Sequence, residues 1–209
     1  MARASEAYPV ALSIDYTEEE RDKLTTFFRP FVAIPVLIIL GLLSGSSPDW
    51  ESSLWSVGVA SAGMVVLPTV FMLLFRRKYP KWWFDWNLEL SRFGLRVAVY
   101  LALLRDEYPS TDEEQAVHLD IPYPNAETEL SEGLPLVKWL LAIPHLFILG
   151  FLGIAAGVCI IASWFAILFT GKQPQSLAEF LVGYLRWEIR VMAYAFILST
   201  DKYPPFSLD

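Results

Sequence analysis

From Val137 to Thr170 the chain is almost unbroken apolar sequence, and that run limits the fold more than any other feature. As a single helix it would be about 50 Å long at 1.5 Å per residue, well beyond a hydrocarbon core of roughly 30 Å. Two short spans with a tight turn fit better, and the turn is expected at GIAAG, Gly153 to Gly157. Those two glycines also form a GxxxG pair, which could instead pack helices closely. Composition agrees with a membrane protein: 55% of residues are hydrophobic, 15% are aromatic, and the mean hydropathy is +0.41.

The start of this run has an earlier counterpart. FVAIPVLIILGLLSG from Phe31 and LLAIPHLFILGFLGI from Leu140 align through Ala33-Ile34-Pro35 and Ala142-Ile143-Pro144. More pairs follow in the same order. VALSI (Val10 to Ile14) answers VHLDI (Val117 to Ile121), each with the alternation of a short strand. LFRRKYP (Leu74 to Pro80) answers LFTGKQP (Leu168 to Pro174), Arg92, Arg96 and Tyr100 answer Arg186, Arg190 and Tyr194, and DEYP at Asp106 answers DKYP at Asp201.

The expected fold is therefore an all-α membrane protein of two tandem repeats. Each repeat is a transmembrane helix hairpin plus an amphipathic arginine-bearing helix, with short cytoplasmic β-strands. Residues 1–109 form the first unit: strand 10–14, spans 29–45 and 54–75, amphipathic helix 82–104. Residues 110–209 form the second: strand 117–121, spans 137–153 and 156–170, amphipathic helix 176–198. The main length difference is the polar loop SGSSPDWESS of the first copy.

Topology turns on the arginine helices. Crossing the bilayer, each would carry two arginines at about 2.5 to 3.5 kcal/mol apiece near the centre. Lying in the interface they escape that cost, with Trp82, Trp83 and Trp86 as headgroup-level anchors. Four spans are thus expected, with six as the alternative. Four spans also gather the lysines and arginines on one face, the cytoplasmic one by the positive-inside rule. Both termini and the linker 106–134 fall there too, and the two strands can then pair. The acidic N-terminal stretch lacks the apolar core and cleavage site of a secretory signal peptide, so the first span is expected to be retained.

LPLVKWLLAIPH (Leu134 to His145), WFAILFTGK (Trp164 to Lys172) and LRWEIRVMAYAFILSTDKYPPF (Leu185 to Phe206) resemble the signature of a bacterial membrane-protein family known as domain of unknown function 4389. The first copy resembles a diverged version of it. The resemblance implies a membrane location and this repeat unit, and it brings no established activity.

No enzyme constellation is visible, and neither catalytic residues, metal ligands nor a cofactor are expected. His118 and His145 lack ligand partners at metal spacing, the linker acids suit a solvated loop, and TGK at Thr170 lacks the rest of a phosphate-binding loop. The single Cys159 excludes an internal disulfide, and a formal net charge of -7 argues against nucleic acid. Basic residues Arg76, Arg77, Lys78, Lys81, Arg92, Arg96, Lys172, Arg186 and Arg190 are the candidate contacts to anionic lipid headgroups or to a partner protein. Alternatively, the helix arginines pair within the fold, as Arg92 can with Glu89 and Arg186 with Glu179 or Glu188, or snorkel to water. The expected role is a non-catalytic accessory subunit or lipid-organising scaffold in the inner (plasma) membrane, associating with other membrane subunits or with itself. The alternatives are a small transporter or channel, suggested by the repeat, and a membrane enzyme acting on lipid.

Overall fold

The computed structural model describes residues 8–15, 21–44, 66, 68–111, 113, 115–131 and 133–209. Two strands, β1 (Ala11–Ile14) and β2 (Val117–Asp120), pair antiparallel, with Leu12 opposite Leu119 and Ser13 opposite His118. Side chains alternate across the pair. Leu12, Val117 and Leu119 turn inward, while Ala11, Ser13, His118 and Asp120 stay exposed.

Helix α1 (Lys23–Val32) starts where the Asp22 carboxylate accepts the Leu24 N–H at 3.0 Å, which satisfies one of the free donors of the first turn. It passes into α2 (Ile34–Ser44) through Ala33. The helix is interrupted there because Pro35 has no N–H to give the preceding turn. The same event recurs where α5 (Leu134–Leu141) passes through Ala142 into α6 (Ile143–Thr170), ahead of Pro144. Ala33 and Ala142 both keep right-handed helical angles, so each interruption is local. Lys23–Leu43 and Leu134–Thr170 are each long and apolar enough to cross a membrane, with hydropathies of 2.1 and 2.5.

Residues 68–76 are helical (α3) and lead into α4 (Lys81–Leu101). After α6 comes α7 (Gln175–Met192), which ends in a π-helical turn, Ala193–Ile197. Pro80 and Pro174 stand ahead of α4 and α7, and their carbonyls accept the first helical N–H groups at 3.1 to 3.2 Å. Gly171 closes α6 with φ 76, and its N–H reaches the Ile167 carbonyl at 2.7 Å. Arg77 closes α3 with φ 47 and an N–H to Leu73 at 3.2 Å, taking the left-handed position without being glycine.

Two expectations are corrected. No turn occurs at Gly153–Gly157, because α6 runs through it as one helix of 28 residues. Nothing in GIAAG stops a helix: it has no proline and no side chain to replace a backbone hydrogen bond, and neither glycine has positive φ. In apolar surroundings a broken ladder would leave peptide groups unpaired. Gly153 and Gly157 instead lie on the side of α6 that faces α7, where they line cavities shared with Tyr184 and Glu188 and with Leu181 and Leu185. The expected spans 137–153 and 156–170 are therefore joined by α6 with no turn between them. Of the expected span 54–75, residues 54–65 and 67 lie outside the described residues, as does the polar loop after Ser44.

The second correction concerns the arginine helices. They are enclosed: no residue from Leu90 to Asp106 or from Leu181 to Asp201 is exposed. Helix α7 runs antiparallel along α6, meeting it at Trp187–His145 near one end and, through the preceding turn, at Gln173–Ser163 near the other. A crossing α6 beside an in-plane α7 is thus not the arrangement. Helices α4 and α7 are central. Helix α2 packs on Phe93 and Val97 of α4 through Val36 and Leu40, and α6 packs on Trp187 and Val191 of α7 through Leu149. The strand pair and the linker lie on the arginine side.

Candidate functional site

The arginine stripe of α4 meets main chain. Arg92 donates from Nε and Nη2 to the Leu119 carbonyl at 3.2 and 3.0 Å and pairs through Nη1 with Glu89 at 2.6 Å. Arg96 is buried and donates to the Ser110 carbonyl at 3.0 Å. On α7, Arg186 donates to Leu208 in the C-terminal tail at 3.4 Å, and the Arg190 guanidinium lies 5.9 Å from the Tyr8 ring centre. Arg92, Arg96 and Arg186 thus tie strand, linker and tail to the central helices through charge-assisted bonds to main-chain carbonyls, and Arg190 stands against Tyr8 ahead of β1. Glu188 is not the partner of Arg186. It faces the interior, where burial pushes its carboxyl up to about 7, and Glu179 accepts from Gln175 at 2.9 Å instead.

The other five candidate cations are exposed in two places. Arg76, Arg77, Lys78 and Lys81 cluster at the α3–α4 turn, where Lys81 lies 3.3 Å from Asp85. Lys172 sits in the α6–α7 turn. That turn is next to the end of α4, since Gln173 reaches the Ala102 carbonyl at 3.3 Å, and the α3–α4 turn is next to the end of α7, since Tyr79 reaches the Ile197 carbonyl at 2.8 Å. The two places are a helix length apart, so the nine residues do not form one patch. Trp82 and Trp86 are exposed, whereas the Trp83 indole donates to Thr69 at 2.8 Å.

Two buried cations escaped the sequence reading as a matched pair. Lys138 is fully buried, 2.8 Å from the Asp201 carboxylate and 2.7 Å from the Thr200 carbonyl, with the Tyr194 ring centre 5.2 Å away. Arg29, also buried, pairs with Asp106, donates to the Tyr100 and Arg105 carbonyls at 2.8 and 2.9 Å, and lies 4.5 Å from the Tyr100 ring centre. The signal was available, since each cation stands four residues before an Ala-Ile-Pro. Burial alone would raise the Asp201 carboxyl, but the Lys138 ammonium and the Ser131 N–H hold it below the usual carboxylate range.

His145 is buried and accepts from the Trp187 indole through Nδ1 at 3.0 Å, stacked on Phe206 with ring centres 3.8 Å apart. Its surroundings are those of a packed core side chain. Among the described residues no three His, Cys, Asp or Glu side chains gather as metal ligands.

Between α1, α2, α4, α6 and α7 the described residues line an apolar cavity of about 640 Å³. Its walls include Leu40, Leu90, Ala98, Ile160 and Met192, with Asn87, Tyr184 and Glu188 among the few polar groups. Such a space suits a hydrocarbon chain better than a polar metabolite.

These features define a mostly helical protein with two helices long and apolar enough to cross a membrane and a small two-stranded sheet. Residues 135–207 match a family described as domain of unknown function DUF4389, which bears out the resemblance over the second half of the chain, where a single copy is detected. No curated protein and no solved structure was found to match.

Proposed function

We propose that this protein is a non-catalytic membrane module made of two tandem copies of one unit, serving as an accessory subunit or lipid-organising scaffold in a bacterial inner membrane. The observation that carries the membrane reading is the outer face of α6. Phe147, Phe151, Ile154, Val158, Ile161, Phe165 and Phe169 follow one another at helical spacing and are each 49 to 79% exposed. A continuous apolar stripe of that length needs an apolar partner. Bilayer hydrocarbon fits it, with the exposed turn cations near headgroups.

The tandem reading is supported by contacts that recur at matched positions. Arg29–Asp106 answers Lys138–Asp201, Arg77 answers Gly171, and Tyr79 to Ile197 answers Gln173 to Ala102. The last two cross between the halves in both directions, as a twofold relation would have it. The apolar cavity favours a lipid-organising role, with the termini on the cytoplasmic side.

Isolation from native membranes in mild detergent, with mass spectrometry of co-eluting proteins and lipids, tests the proposal. A stoichiometric protein partner or a tightly held anionic lipid is expected. A lone oligomer that conducts ions in vesicles would contradict it.

A further inference from the structure

We infer that α1–α2 and α5–α6 lie along the membrane, sunk in the hydrocarbon of one leaflet, with the strand pair on the aqueous side. This rests on the membrane reading above and replaces the multi-pass expectation for the described helices.

Helix α7 and the turn before it run antiparallel along α6 between His145 and Ser163, so the two helices share one axis direction. The described residues between Ser110 and Tyr123 run along α4 from Arg96 to Phe84 on the arginine side. Arg96 meets Ser110 at 3.0 Å, Arg92 meets Leu119 at 3.0 Å, and Tyr123 packs edge-on to Phe84 with ring centres 5.2 Å apart. β1 pairs with β2 and its approach is tied to Arg190 of α7 through Tyr8. The sheet therefore sits beside the middle of the helices and not beyond their ends.

If α6 stood across the bilayer, that sheet would be at hydrocarbon depth. Its outward face carries Ser13, His118 and Asp120, all exposed, with His118 3.3 Å from Asp15. Exposed strand edges and carboxylates are not tolerated against lipid. Laid flat, the same molecule puts the sheet in water and the outer faces of α2 and α6 in lipid. The length agrees: α6 would span about 42 Å, more than the roughly 30 Å core, while a helix lying in the interface sinks its apolar face only about 5–10 Å. The exposed cations at both turns then fall at the rim of the apolar layer, at headgroup level.

Depth measurements by spin labelling decide between the orientations. Single nitroxides at Phe147→Cys, Val158→Cys, Phe169→Cys and His118→Cys are placed in a Cys159→Ala background that retains wild-type melting. The full chain is reconstituted in vesicles of phosphatidylethanolamine and phosphatidylglycerol. Equal depths within one leaflet at the three α6 sites, with His118 in water, are expected. Val158 near the bilayer centre with Phe147 and Phe169 near opposite headgroups would overturn the inference and leave the membrane reading standing. Shielding of the α6 sites from both lipid and water would overturn it in favour of a second copy or a protein partner. All four sites in water would remove the membrane reading together with the inference.

Discussion

The Lys138 ammonium, with no exposed surface, lies 2.8 Å from the Asp201 carboxylate, and so ties the start of the α5–α6 helix to the segment that follows α7. Removing one partner of a buried pair leaves the other charge uncompensated, at about 3–5 kcal/mol. Asp201→Asn is expected to lower the melting temperature in detergent by several degrees. Lys138→Met, which also removes the charge, is expected to be milder than Asp201→Asn. Equal melting of Asp201→Asn and wild type would show that the pair holds nothing together.

The pair also sets an acid limit. The Asp201 carboxyl titrates below its ordinary range when folded, so the unfolded chain binds the proton first as pH falls. Stability from this group is full above the unfolded pKa and is lost as pH drops through the depressed folded value. Wild type should therefore lose more stability than Asp201→Asn below about pH 4, measured by chemical denaturation. Parallel acid profiles would argue against this contribution.

Glu188 works in the opposite direction. Burial raises its carboxyl to about 7, so between about pH 4.5 and 7 the folded chain keeps a proton that the unfolded chain has released. Its contribution falls as pH rises through that window. Glu188→Gln should flatten the decline and melt a few degrees higher than wild type above pH 7. A variant less stable than wild type at pH 8 would mean that the carboxylate has a partner worth more than its burial costs.

The two left-handed caps offer a paired test. Gly171→Ala, at φ 76, should destabilise by about 1 kcal/mol, because a Cβ clashes with its own backbone in that region. Arg77→Gly relieves the same strain at φ 47 and should stabilise by a similar or smaller amount, since the arginine side chain is lost with it. The readout is the midpoint of denaturation for each variant. Destabilisation by both would indicate that Arg77 contributes more through its side chain than its backbone costs.

Much of the local structure was legible. Alternation marked β1 and β2, and the arginine periodicity marked α4 and α7. Even the π-helical turn left a trace: Tyr194 to Asp201 is one residue longer than Tyr100 to Asp106, and the turn Ala193–Ile197 lies between. What failed was arrangement. Hydropathy scores Leu185 and Phe147 alike, although one is buried against protein and the other is exposed, so lipid-facing and core-facing helices could not be told apart. GIAAG misled because a run longer than the hydrocarbon core gives the chain no reason to turn where no residue breaks the helical ladder. The arginine stripes left two readings open in the sequence, lipid contact or pairing within the fold, and the carbonyls of Leu119, Ser110 and Leu208 take Arg92, Arg96 and Arg186.

The central claim is that bilayer hydrocarbon covers the outer face of α6. Photolabelling of native membranes with a fatty-acyl diazirine probe, mapped by peptide mass spectrometry, addresses it most directly. Labels are predicted at Phe147, Phe151, Ile154, Val158 and Phe165, with none at Ser13 or His118. An unlabelled α6, or equal labelling of α6 and the strands, would contradict the account.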